Sequence, residues 1–290
     1  MNDDRTMLLR VRAAAPLPRV WQALTSADQL EVWLAEHAEV DLPRAFAFWG
    51  RYTPDGEVAR QRLLSADDHT LRFIWTLGGE DTTVEIHVEP DGADASVVSV
   101  SQTHYDFQQA LAESSSLAVI ETFWAFSLGN LVDFLKGRGV EYRCDFTTSD
   151  LRVELEIGAA RARVYAALVD SDQFSAWFGY PIGIEPWVGG RFAMGGLDEP
   201  LREQLGGTPR IVAFEPGRTM SVDFGDGGVA TWELEDSQGR TRLTFVQSGF
   251  STPRPPFAAF LGMVAGFLSL RRYVEEPDWK SVYVAVSGVM

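Results

Sequence analysis

Apolar and polar residues alternate strictly over several short stretches of the chain, and each such stretch predicts a strand with one face buried. In the amino-terminal half they predict strands at about 7–14, 40–50, 57–64, 69–77, 82–89 and 96–105. After the first strand the spacing changes to three and four, predicting two short helices within Leu17 to Ala35. A longer stripe made of Leu117, Ile120, Phe123, Trp124, Leu128, Leu131, Val132 and Leu135 predicts one long helix at about 114–137. The carboxyl-terminal half repeats this order and ends in an apolar helix from Phe257 to Val274. Short polar links such as Pro90-Asp91-Gly92, Asp226-Gly227-Gly228 and Asp236 to Gly239 favour sequential antiparallel hairpins over parallel crossovers. The expected class is α+β, with a curved antiparallel sheet and one long helix burying their apolar sides against each other.

The repeat is explicit at residue level. RVWQALTSADQLEVWL (Arg19 to Leu34) and RVYAALVDSDQFSAWF (Arg163 to Phe178) align without a gap at a constant offset of 144 residues. Seven pairs are identical, among them Asp28/Asp172, Gln29/Gln173 and Trp33/Trp177. Farther on, VSVSQTHY (Val98 to Tyr105) lines up with LTFVQSGF (Leu243 to Phe250), matching Gln102 with Gln247. A repeat of this length fixes the architecture as two copies of one unit, expected at 1–143 and 144–290. Gly137, Gly139 and the polar stretch Thr147 to Asp150 supply breakers at the junction.

These segments, with VGGRF at Val188 to Phe192 and TRLTFVQSGF at Thr241 to Phe250, resemble the SRPBCC (START/Bet v-like) superfamily and, within it, homologues of the activator of heat-shock-protein-90 ATPase. The resemblance spans nearly the whole chain, once per half, and is stronger in the second half. It implies a helix-grip fold with a cavity between helix and sheet, in a superfamily whose members bind lipids, hormones or polyketides and in a few cases cyclise or hydrate them. The first half departs from the motif: DLPRAF (Asp41 to Phe46) stands where a Gly-Gly pair is expected, and His104 stands where the second copy has Gly249. No residue of a chaperone-activating surface carries over by motif.

Composition narrows the partners. The chain has 290 residues, 46% of them hydrophobic and 23% charged, which lies inside the globular range. A formal net charge of -16 repels nucleic acid and anionic lipid, both of which require clustered Lys and Arg. Cys144 is the only cysteine, so no intrachain disulfide or CxxC site forms, in keeping with a cytoplasmic protein. The amino terminus, acidic and without a long apolar core, does not read as a secretory signal, and the run Phe257 to Leu270 is short for a membrane span.

If each sheet wraps its helix, alternation selects the inward side chains. The expected ligand-binding set is Trp33, Phe48, Phe73, Trp75, Gln102, His104 and Trp124 in the first copy. In the second it is Trp177, Phe192, Phe224, Trp232, Phe245 and Gln247. Aromatic walls with one polar end suit an apolar small molecule bearing a hydrogen-bonding group. The same residues also make an ordinary packed core, and sequence does not measure volume. The two inward glutamines are either ligand contacts or strand-end caps. Trp33 and Trp177 are expected to pin the second short helix to the sheet and border the cavity mouth.

Catalytic chemistry is thin. His104 is the one histidine expected to point inward and the only weak candidate for proton transfer, with Glu31 as an acid at the mouth. His37, His69 and His87 fall at a loop, a turn and an outward strand position without metal-ligand spacing, so no metal is expected. Ser114 to Ser116 lack a nucleophile-elbow context and read as a helix cap. Neither Gly195-Gly196 nor Gly206-Gly207 forms a phosphate loop, so no cofactor is expected. Three readings follow: a carrier for a hydrophobic, lipid- or polyketide-like molecule, with no identifiable catalytic machinery; a cyclase or hydratase acting on a bound carbonyl compound; and a chaperone-associated or regulatory interaction module. The two copies in one chain are expected to behave as a pseudo-dimer, by analogy with isologous homodimers. The alternating apolar tail from Asp278 to Met290 fits either a sheet edge or a partner.

Overall fold

Strands form where the alternation places them, and helices where the spacing changes. The computed structural model describes residues 6–103, 116–140, 142–198, 207–251 and 254–284. The first half runs β1 (Thr6–Ala13), α1 (Leu17–Thr25), α2 (Ala27–Trp33), β2 (His37–Asp41), β3 (Ala45–Trp49), β4 (Gln61–Ala66), β5 (Thr70–Leu77), β6 (Glu80–Pro90), β7 (Ser96–Thr103) and α3 (Ile120–Leu135). The second runs β8 (Leu151–Ile157), α4 (Arg161–Val169), α5 (Ser171–Phe178), β9 (Ile182–Ile184), β10 (Phe192–Met194), β11 (Arg210–Glu215), β12 (Thr219–Asp223), β13 (Val229–Ser237), β14 (Arg240–Ser248) and α6 (Phe257–Glu275). A 3-10 turn at Gly225–Gly227 joins β12 to β13.

The two halves share one topology. The first holds a five-stranded antiparallel sheet in the order β1-β7-β6-β5-β4 with the separate hairpin β2-β3; the second holds β8-β14-β13-β12-β11 with β9-β10. Register repeats as well, since Met7 stands opposite Gln102 and Leu151, at the same offset of the repeat, stands opposite Gln247. By compactness the first unit comprises the chain up to Thr148 together with residues from Val282 onward, and the second is Ser149–Ser281.

Local chemistry explains the element ends. Pro18 occupies the first turn of α1, where a missing N–H costs nothing. The Asp170 carboxylate accepts from the Gln173 N–H and caps α5, which ends on Gly179 in a left-handed conformation (φ 79°). Ser26, at the matching place before α2, makes no such side-chain cap. Between β9 and β10 the turn requires Gly190, because a Cβ there would lie 2.0 Å from the Glu185 carbonyl oxygen.

Four expectations change. The single strand at 40–50 is two, because Pro43 offers no N–H to a ladder and the chain reverses through Asp41 to Arg44, closed by the Arg44 N–H on the Asp41 carbonyl at 2.7 Å. His37 therefore opens β2 instead of lying in a loop. The strand expected at 57–64 begins only at Gln61, because Asp55 holds the preceding loop elsewhere: its carboxylate accepts from the Gly78 N–H and the Ser116 hydroxyl. That bond also removes Ser116 from the capping role, since α3 starts four residues later with Val119 at its cap; Ser114 and Ser115 lie outside the described residues.

Both long helices bury more than one stripe. In α3, Phe126, Ser127, Asn130 and Asp133 are buried along with the apolar stripe, as expected of a helix enclosed on several sides. Helix α6 is long and apolar enough to cross a membrane by length and composition, yet 67% of its apolar window is buried inside the protein. The tail settles on a sheet edge. Residues Val282–Val284 run antiparallel along β1: the Arg12 N–H donates to the Val282 carbonyl (2.7 Å) and the Val284 N–H to that of Arg10 (2.9 Å). The Tyr283 hydroxyl donates to the Ala125 carbonyl of α3 at 2.7 Å, tying this strand to the helix as well.

Truncation after Ser281 is expected to strip protection from the Arg12 amide while leaving the β1–β7 ladder intact, as read by hydrogen exchange. Tyr283→Phe, which deletes one hydrogen bond, should cost about 1 kcal/mol in urea unfolding.

Candidate ligand-binding interior

In the first unit the inward rows of the sheet meet α3 in one continuous aromatic cluster. Trp75 lies 5.1 Å from Phe48, 5.4 Å from Phe123 and 6.0 Å from Trp124, centroid to centroid, and Phe73 lies edge-on to Phe48 at 6.1 Å. The edge-to-face geometry suits ring quadrupoles and leaves the rings in mutual contact. Gln102 is fully buried and engaged at both ends: its Nε2 donates to Thr82 Oγ1 (2.8 Å) and its Oε1 accepts from Trp124 Nε1 (2.7 Å). Thr82 in turn donates to the Trp75 carbonyl. The amide is thus satisfied by the protein, which the period-two pattern alone did not reveal, because Thr82 lies on the neighbouring strand and Trp124 on a helix that follows in sequence. His104 lies outside the described residues.

The second unit is built differently on the same frame. Phe192 from β10 stands 5.9 Å from both Phe224 and Trp232, and Phe245 packs on Phe260 (5.5 Å) and Phe267 (5.1 Å) of α6. Gln247 donates from Nε2 to the Gly227 carbonyl (2.8 Å), fastening the 3-10 turn at the end of the sheet. Trp232 is 2% exposed and borders a surface fissure that it shares with Tyr165, Leu168, Arg218, Met220 and Leu234; the fissure is too narrow for a water molecule. Two inward indoles, Trp75 and Trp232, have no hydrogen-bond partner for Nε1 among the described residues.

Trp33 and Trp177 play matching parts. Each is buried and donates its indole N–H to a carbonyl ten residues earlier, Ala23 at 3.1 Å and Ala167 at 2.8 Å. The bond fastens the second short helix to the last turn of the preceding helix. Trp177 also reaches Phe267 of α6 (6.3 Å), where Gly266 leaves room for Phe178 and Trp177 to approach.

The charged groups near these elements serve structure. Arg51 holds the Glu36 carboxylate with its guanidinium and backbone N–H, and these bonds lower the Glu36 pKa from 4.5 to about 2. Glu185 is lowered likewise by the Arg191 side chain and N–H. Glu31 accepts from the Ala38 N–H, and Arg143 donates to the carbonyls of Glu31 and Ala35 while lying 4.1 Å over the Tyr52 ring. Burial pushes the Cys144 thiol well above the ordinary range, so it stays protonated and unreactive. Among the described residues no group of three or more His, Cys, Asp or Glu side chains is placed to hold a metal ion.

The fold and its interior define a class: two helix-grip domains of the SRPBCC type in one chain, each with an aromatic layer between helix and sheet. The chain belongs to the family described as Activator of Hsp90 ATPase homolog 1-like protein, whose model matches residues 14–136 and again 158–273. Among solved structures it is similar to CalU16 from Micromonospora echinospora (22% identity, 46% of this chain and 74% of that one, TM-score 0.37). DynU16, a protein of the dynemicin biosynthetic locus, is 17% identical over 94% of this chain and 98% of its own, with a TM-score of 0.39. The Aha1 dimer from Colwellia psychrerythraea is 18% identical over 45% of this chain and 98% of that chain, with a TM-score of 0.36. At identities and scores this low the likenesses say nothing of ligand or activity. No curated protein matches the chain.

Gln102→Leu orphans the buried Trp124 N–H and is expected to destabilise by about 1–3 kcal/mol in urea unfolding. The depressed Glu36 pKa contributes stability that is fully present above pH 4.5 and is lost as pH falls towards about 2. Glu36→Gln should therefore flatten the loss of unfolding free energy across that window, measured against wild type at a series of pH values.

Proposed function

We propose that the protein is a binding or carrier protein for an apolar small molecule with a hydrogen-bond acceptor, and that the second unit holds the site. The observation that carries this reading is Trp232, a buried indole whose N–H lacks a partner among the described residues and which edges the fissure between α4 and the sheet. A buried donor left unpaired costs about 1–3 kcal/mol, and native proteins rarely keep one without use. A ligand carbonyl or hydroxyl entering by the fissure, between Tyr165 and Leu168 on one side and Met220 and Leu234 on the other, would supply the acceptor. The closed fissure means that entry requires α4 to move away from β12 and β13. Trp75 is similarly unpaired but packed among Phe48, Phe123 and Trp124, which supports a mainly structural part for the first unit. A single buried cysteine suits a reducing compartment such as the cytoplasm.

A second reading rests on that packed interior: a first unit whose polar groups satisfy one another suits an interaction module, in line with the family description. Native mass spectrometry beside the denatured mass, followed by thermal shift with a panel of lipid- and polyketide-like compounds, separates the two. The carrier reading expects a released apolar species or a ligand-dependent shift. Trp232→Phe should then weaken binding about tenfold, the worth of one hydrogen bond, without lowering the midpoint of the free protein. Trp75→Phe should leave binding unchanged. A clean apo mass with no shift from any compound, or full affinity in Trp232→Phe, would overturn it.

A further inference from the structure

The two five-stranded sheets present four edges, and an open edge is a template for another strand. Three of these are managed. The outermost strands β4 and β11 each carry a bulge, between Leu63 and Ser65 and between Ile211 and Ala213, which breaks the ladder and turns Leu64 and Val212 outward. The outer edge of β1 is taken by Val282–Val284. The outer edge of β8 has no partner strand among the described residues.

The repeat identifies which backbone groups that edge presents. Met7 and Leu151 stand at matching places, so Arg10 and Arg12, whose main chains bond the tail, correspond to Glu154 and Glu156 of β8. By period two, Arg152 belongs to the same outward row. The side chains of Arg152 and Glu154 are 48% and 51% exposed in the full chain.

The chemistry of β8 names the partner. Leu151 to Leu155 reads LRVEL, which is complementary to itself when reversed. Antiparallel pairing about Val153 sets Leu151 against Leu155, Arg152 against Glu154 and Val153 against Val153, so that opposite charges meet twice on the outer face and apolar residues meet on the inner one. The Arg152 and Glu154 main chains, facing outward, then exchange about four hydrogen bonds. Charge limits the register: centring on Glu154 puts that carboxylate against its own copy, and extension beyond five residues puts Asp150 against Glu156. The corresponding segment of β1, MLLRV from Met7 to Val11, would set Leu8 against Arg10 and so pairs no opposite charges.

We propose that the outer edge of β8 is a self-association site, where two copies of this chain pair strand to strand and join their second-unit sheets into one continuous sheet. Sedimentation velocity from about 1 to about 500 µM tests it, since a contact of this size dissociates in that range. Wild type should show a reversible monomer–dimer equilibrium. Arg152→Glu and Glu154→Arg each place like charges across both outer pairs and should raise Kd at least about tenfold. Mixing these two single variants restores both pairs and should yield a heterodimer of about wild-type affinity, as should Arg152→Glu combined with Glu154→Arg in one chain. Both positions are exposed, and an unchanged thermal midpoint reports that the fold is intact. A wild-type chain monomeric throughout, single variants that dimerise like wild type, or a mixture that stays monomeric would each overturn the proposal.

Discussion

One contact sets the geometry of the first unit: the bond from the Trp124 indole N–H to Gln102 Oε1, made where both residues are fully buried. It fixes the long helix to the central strands at a depth where water does not compete, so its geometry is demanding and its loss is costly. Around it the rings of Phe48, Trp75 and Phe123 pack edge to face, and the Thr82 hydroxyl meets the amide. Hydrophobic burial supplies most of the driving force, but this polar bond selects the angle at which helix and sheet meet.

The second unit uses the same topology without that constraint. Gln247, in the place of Gln102, reaches the Gly227 carbonyl at the end of the sheet, and α6 docks through Phe260 and Phe267 on Phe245. Among the described residues no indole-to-amide bond pins its centre. The repeat therefore preserved the frame while the interior chemistry of the two copies diverged, which the matched Trp33 and Trp177 bonds make visible by contrast: those corner clamps kept both their residue and their partner. A corner that joins two helices tolerates no drift, whereas a buried glutamine finds different acceptors in different surroundings.

The edges of the sheets show the same division. Bulges recur at β4 and β11, so protection there was inherited with the fold. The covering of β1 by Val282–Val284 leaves the two first strands, otherwise equivalent by repeat and register, in different circumstances.

The sequence by itself determined the α+β class, the duplication and nearly every element, because period-two and period-3.6 patterns are local and Arg19 to Leu34 repeats as Arg163 to Phe178. It also placed Phe73, Trp75, Phe192 and Phe245 on inward faces, since alternation fixes the face once a strand is known. Tertiary structure decided what those faces do. Whether Gln102 serves a ligand or Trp124, whether Ser116 caps α3 or binds Asp55, and whether the tail seeks a partner or β1 all depend on residues far apart in the chain. A hydrogen bond is satisfied by whichever group arrives at about 3 Å with the right direction, and no local pattern encodes that meeting. The hairpin at Pro43 was legible in principle from a missing N–H, but the fissure at Trp232 was not, because space is a property of packed neighbours and not of any single strand.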